Sequence, residues 1–411
     1  MKQILANSGT PPADTMAVGR YIFAGLCASL VSIGLARFAY TPLIPFLIEA
    51  HWFGASDVLF LGAANLAGYL IGAVMGPTLT RWISRVSLLR LMMLAVSASF
   101  LACAFPVSVH WFFAWRLVSG VAGGTIMVLL AGTILPHVPP SRKGRASGAI
   151  FVGLGIGVVA SGTIVPLFLA WGLREAWIGL AMVALLLTCA SWFAWPAHGV
   201  SEPAGLPSSV GRVSPAKSSV KLLYVQYALM AIALVPAMIF LVDFVARGLM
   251  AGAQIGAAFW ILYGVGALIG PPAYGFLADR LDGQRAAAGV LTLQLFAVLG
   301  LATFHNLVAL GAVTLVVGSF PTGIVPLTLT RIHEIIPQHG PSQNSAWSLA
   351  TTAFAACQAI AAYAFSAIFS ISGGNHRLLF LLSSAPLVIA ILIAAGPRIL
   401  GKGVYSTTTT L

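Results

Sequence analysis

Charged side chains are scarce. Of 411 residues only 7% are charged, and Asp and Glu together number nine. A soluble chain carries about 25% charged residues, because ions keep an aqueous surface dispersed. So little charge cannot cover a water-facing surface of normal size, which leaves lipid as the solvent for most of it. Cysteine is sparse too. Cys27, Cys103, Cys189 and Cys357 stand far apart inside apolar runs, without disulfide or metal spacing, and read as small packing residues. The histidines His51, His110, His137, His198, His305, His333, His339 and His376 fall at run ends with no i, i+4 pair, so neither haem nor metal is expected. No Gly-x-x-x-x-Gly-Lys-Ser/Thr loop occurs, which argues against ATP-driven transport. The Gly153-x-Gly155-x-Gly157 run is apolar and follows no strand, so it reads as helix packing rather than a dinucleotide loop. No cofactor is expected.

What the chain has instead is length in apolar runs. Hydrophobic residues make up 59% of it, and a helix needs about 20 such residues to cross about 30 Å of hydrocarbon. Twelve stretches qualify: 21–47, 57–80, 87–107, 111–135, 146–170, 174–196, 222–246, 254–277, 286–304, 307–335, 345–370 and 376–397. They are too long and continuous for barrel strands. The first exceeds a signal h-region and is expected to stay as a helix. Residues 197–220, rich in Ser, Pro and Gly, read as a linker. The expected plan is a tail at 1–20, six spans within 21–196, the linker, six spans within 221–397 and a tail at 398–411: an all-α integral membrane protein.

The net charge of +12 does not form a nucleic-acid patch. With both termini on the inner side, Lys2, Arg20, Arg81, Arg85, Arg90, Arg142, Lys143, Arg145, Arg212, Lys217, Lys221, Arg280, Arg285, Arg331, Arg398 and Lys402 lie inside. Only Arg174, Arg247 and Arg377 lie outside. That asymmetry satisfies the positive-inside rule and predicts cytoplasmic termini. Arg37 and Arg116 fall within spans.

The second span carries Gly68, Gly72 and Gly76; the eighth carries Gly266, Gly270 and Gly275, 198 to 199 residues later. Small residues at this spacing let helix backbones approach in lipid. The sequences that follow also match, Gly76-Pro-Thr-Leu-Thr80-Arg81 against Gly275-Phe-Leu-Ala-Asp279-Arg280. Gly148, Gly153, Gly155, Gly157 and Gly162 in the fifth span pair with an Ala-rich eleventh. Two pseudo-symmetric six-helix halves are therefore expected.

With these motifs the chain resembles the major facilitator superfamily of secondary transporters. Gly275-x-x-x-Asp279-Arg280 looks like its loop signature, and Arg116-x-x-x-Gly120-x-x-Gly123-Gly124 like its fourth-helix motif. Gly34-Leu-Ala-Arg37-Phe38-Ala39-Tyr40-Thr41-Pro42-Leu-Ile-Pro45 resembles the first helix of bacterial YbfB/YjiJ-like transporters. The resemblance implies a 6+6 bundle whose central cavity opens alternately to each side. It also implies gating roles for Arg81, Asp279 and Arg280. Thr80 departs from the usual Asp, and the fifth span lacks the Gly-Pro pair of the antiporter motif.

Arg37 is the foremost site candidate, because a cation that deep costs about 2.5–3.5 kcal/mol unless it faces a wet cavity or a partner. Snorkelling would have to bridge about 15 Å. Tyr40 shares its face. Arg116, nearer its span end, either snorkels or turns its five donors inward to a carboxylate or phosphate. Asp243 is the acid candidate: at a partly desolvated depth it can take up and return a proton, unless it is simply paired with Arg247 at i+4. Asn65, Tyr69, Gln226, Tyr227, Trp260, Tyr263 and Gln358 complete the substrate-binding candidates, each reading equally as interhelical packing. The expected function is a proton-coupled carrier of a small polar or anionic solute in a bacterial inner membrane, working as a monomer and not as an enzyme. The alternative is a membrane sensor with a transporter-like fold.

Overall fold

The computed structural model describes residues 15–139, 143–196, 217–281, 283–335 and 342–400; most of the expected linker and tails lie outside these. Among the described residues every regular element is a helix. Twelve are long and apolar enough to span a bilayer: α1 (Met16–Glu49), α2 (Ala55–Leu79), α3 (Arg85–Cys103), α4 (Val109–His137), α5 (Gly148–Leu169), α6 (Leu173–Ser191), α7 (Val220–Gly248), α8 (Ala253–Ala278), α9 (Gly283–Thr303), α10 (Leu307–Ile332), α11 (Leu349–Ile371) and α12 (His376–Ala394). Each coincides with one of the expected stretches. The bundle end where α1 begins and α2 finishes is called the basic end below.

Helix α1 is not uniform. An α-helical start, Thr15–Ser29, gives way to a π turn at Leu30–Leu35, then to a 3-10 turn at Phe38–Leu43 and a last α turn at Ile44–Glu49. Pro42 and Pro45 explain the 3-10 turn. Neither has an N–H, so the carbonyls of Phe38 and Thr41 lose their usual helical partners. Gly34 sits in the π turn and packs on α5, where a Cβ would come within 2.8 Å of the Gly157 Cα. Arg37 occupies the joint between the two irregular turns.

The duplication is visible in the packing itself. A Cβ on Gly68 or Gly72 would fall on the carbonyl oxygen of Leu117 or Val121, and one on Gly266 or Gly270 on that of Leu315 or Ser319. Adding 198 to the first set of numbers gives the second. In return Gly120 abuts the Asn65 carbonyl and Gly318 the Tyr263 carbonyl, again 198 apart. Helices α2 and α4 therefore cross in the same register as α8 and α10.

The third glycine breaks the match. Gly76 packs on Thr125, whereas Gly275 has nothing within 4 Å of a Cβ. The residue 198 after Gly76 is Tyr274, whose ring lies against Gly323, 198 after Thr125. The large and small partners have traded sides.

The halves meet through α1 with α7, α2 with α11, and α5 with α8. Away from the basic end, Ser56 Oγ donates to Ser370 Oγ at 2.7 Å and Phe60 stacks on Tyr363 at 6.3 Å. At mid-depth a Cβ on Gly155 would lie 2.6 Å from Leu268, and one on Gly264 2.7 Å from the Val159 nitrogen. Nearer the basic end Gly148, two turns from Gly155, and Gly275, three turns from Gly264, continue those same stripes, and a Cβ on either would meet nothing within 4 Å among the described residues. The two helices cross at mid-depth and splay toward the basic end.

Candidate functional site

A cavity of about 20 Å³ lies at mid-depth, lined by Arg37, Phe38, Tyr40, Thr41, Gly62, Asn65, Leu66, Arg116, Met238 and Ile239. That is room for about one water. Its walls are the irregular part of α1, with α2, α4 and α7, so both halves contribute. Among the described residues two guanidiniums line it and no carboxylate does.

Arg116 does not snorkel: it is 1% exposed. Ser108 caps α4 by accepting from the Trp111 N–H at 3.1 Å, and Gly120 and Gly124 let α2 close on the helix. Arg116 is thereby carried to the broken segment of α1, where its Nη1 donates to the Ala36 carbonyl at 2.9 Å and its guanidinium lies 4.3 Å from the Tyr40 ring centroid. Irregular backbone at membrane depth survives only where its polar groups find partners, and Arg116 supplies one. Asn65 supports both helices, its amide facing the carbonyls of Ala36 and Arg116 at 3.4 Å. Tyr40 is held by donating to the Val58 carbonyl at 2.6 Å.

Arg37 is less well satisfied. Its Nη2 faces the Met238 sulfur across the half-to-half boundary at 3.9 Å, and its guanidinium lies 5.5 Å from the Tyr69 ring centroid and 5.7 Å from that of Phe38. Among the described residues neither Arg37 Nε nor Arg116 Nε has a hydrogen-bond partner. Gln358 reaches the same Met238 sulfur from α11, Nε2 at 3.5 Å. Trp260 donates to Ser161 Oγ at 2.9 Å and stacks on Tyr263 with centroids 4.8 Å apart; among the described residues the Tyr263 hydroxyl has no hydrogen-bond partner.

Two further candidates stand elsewhere. Gln226 donates to the Ala390 carbonyl at 2.9 Å and accepts from Arg331, so it ties α7 to α12 and α10 rather than facing the cavity. Tyr227 is enclosed by Phe354 and Trp347, at 4.6 and 6.1 Å. Arg331, which reads in sequence as inner-side charge, is 8% exposed; its partner Gln226 lies 105 residues away on α7, so no local pattern marks the pairing.

Asp243 is fully buried but apart from the cavity. Both its oxygens pair with Arg247, as the i+4 spacing allows, and Oδ2 also meets His376 Nε2 at 2.6 Å. His376, which the sequence places only at the end of an apolar run, therefore has a specific partner. His376 opens α12 and is turned inward against Phe369 and Phe244; no local pattern announces a partner 133 residues away. At the basic end Arg81 and Arg280 are exposed, the latter lying over the Phe276 ring at 4.6 Å. The side chain of Asp279 lies outside the described residues.

Twelve spans, a 198-residue repeat, and a cationic cavity shared by two halves describe a membrane carrier. No curated protein matches the chain. Residues 29–395 match the family described as the uncharacterised MFS-type transporter YbfB, and with so much of its length covered the chain belongs to that family, a membrane transporter of the major facilitator superfamily.

Proposed function

We propose that this is a secondary active transporter which moves a small polar or anionic organic solute by alternating access, coupled to protons. It works as a monomer in a bacterial inner membrane with both termini cytoplasmic. The observation that carries the reading is the pair Arg37 and Arg116: two guanidiniums on one buried cavity, each with an unpartnered Nε and no facing carboxylate. Buried charge without a counter-charge is costly, and an anionic solute would balance it. The remaining candidates Tyr40, Asn65, Tyr69, Trp260, Tyr263 and Gln358 surround or brace that point, and Gln226 and Tyr227 brace α7.

A space fit for one water admits no organic molecule, since solute sites occupy about 300–1,000 Å³. Binding therefore needs the halves to part. The splay of α5 from α8 and the closed contact at Ser56 and Ser370 support rocking about mid-depth, with Arg81, Asp279 and Arg280 closing the basic end in the other state. A Ser56→Cys/Ser370→Cys protein, oxidised to a disulfide, is expected to lose uptake into proteoliposomes and to regain it on reduction. Full uptake by the cross-linked protein would rule out opening at that end.

Proton coupling is assigned to Asp243 with His376, an acid–imidazole pair within hydrogen-bond reach inside the bundle. Asp243→Asn is expected to abolish proton flux accompanying the solute, followed with an internal pH dye, while downhill solute exchange continues. An Asp243→Asn protein that still concentrates solute against its gradient on a pH difference removes this residue from coupling.

A further inference from the structure

The polar atoms without a protein partner near the centre differ in kind. Arg37 Nε and Arg116 Nε can only donate, Gln358 Oε1 can only accept, and the Tyr263 hydroxyl can do either. Gln358 is 2% exposed and Tyr263 fully buried, so bulk water does not serve them. The Met238 sulfur takes a donor from both halves, Arg37 at 3.9 Å and Gln358 at 3.5 Å. A thioether is a weak acceptor, so an oxygen placed there would satisfy either donor better. Since both groups reach one atom, Arg37 Nη2 and Gln358 Nε2 are separated by no more than the sum of those distances, close enough for one small molecule to meet both side chains.

We infer that the solute is a small hydroxy-substituted carboxylate, its carboxylate held by Arg37 and its hydroxyl donating to Gln358 Oε1. The inference rests on the anion reading above and narrows it. A plain carboxylate would satisfy Arg37 but leave Gln358 Oε1 buried and unmet, which disfavours binding. An amino acid would offer a donor as an ammonium, yet no carboxylate lines the cavity, and Asp243 is engaged by Arg247 and His376. A hydroxyl meets the amide without bringing a second charge.

The test is equilibrium binding by calorimetry to the purified full-length protein, with 3-hydroxybutyrate, butyrate, 3-aminobutyrate and 3-hydroxybutyramide as probes. The hydroxy acid is expected to bind at least about tenfold more tightly than butyrate, with the zwitterion and the uncharged amide weaker still. Gln358→Leu should bring the hydroxy acid down to the affinity of butyrate. Gln358→Glu, which keeps the side-chain shape, should shift preference toward 3-aminobutyrate. Equal binding of 3-hydroxybutyrate and butyrate, with both lost in Arg37→Ala, overturns this inference and spares the anion reading. Absence of binding by every carboxylate, or equal binding to wild type and Arg37→Ala, overturns both.

Discussion

Arg37→Ala is expected to reduce carboxylate uptake in proteoliposomes by about a hundredfold, while the purified protein stays monodisperse. Charge-assisted hydrogen bonds contribute about 1.5–3 kcal/mol, and at Arg37 that contribution is not spent on the fold. Its protein contacts are a sulfur at 3.9 Å and two ring faces beyond 5 Å, none of which would be missed much. Arg37→Lys keeps the charge but not the planar fork, so an intermediate loss of about tenfold is expected. Arg116→Ala should behave differently. It leaves the Ala36 carbonyl at the break in α1 with only the longer contact from Asn65 and uncovers Tyr40, so thermal stability should fall along with uptake. Wild-type uptake by Arg37→Ala would remove that residue from the solute path.

The second large effect concerns folding. Gly72→Leu and Gly270→Leu are each expected to prevent recovery of a monodisperse protein, because even a Cβ would land on the carbonyl of Val121 or Ser319. Alanine at either place should lower the melting temperature measurably, since overpacking costs about 1–3 kcal/mol and the opposing atom is backbone that cannot rotate away. Gly275→Ala, drawn from the same sequence motif, should melt like wild type because its Cβ has open space. A similar melting loss at Gly275 would mean that the stripe, not the crossing, sets the tolerance.

The parts legible in sequence are those that lipid dictates. Spans follow from unbroken apolar length, and the repeat from glycines at Gly68, Gly72, Gly266 and Gly270, whose 198-residue offset the packing reproduces. Gly275 misled because its offset is 199, one residue out of register, which on a helix turns it off the contact face. Arg37 was legible because charge at that depth needs a reason. Met238 was not: a methionine in an apolar run carries no mark that two polar groups from separate halves converge on its sulfur. His376 was missed for a related cause. Its partner Asp243 lies on another helix, and only the tertiary fold brings the π turn at Phe244–Gly248 against the start of α12.

The exchange of bulk between Gly76 with Thr125 and Tyr274 with Gly323 limits how this protein can be recombined. A hybrid that grafted α8 in place of α2 would drive a phenol ring into a threonine; the reverse graft would leave glycine facing glycine across a void. The smallest interchangeable module is thus a crossed helix pair.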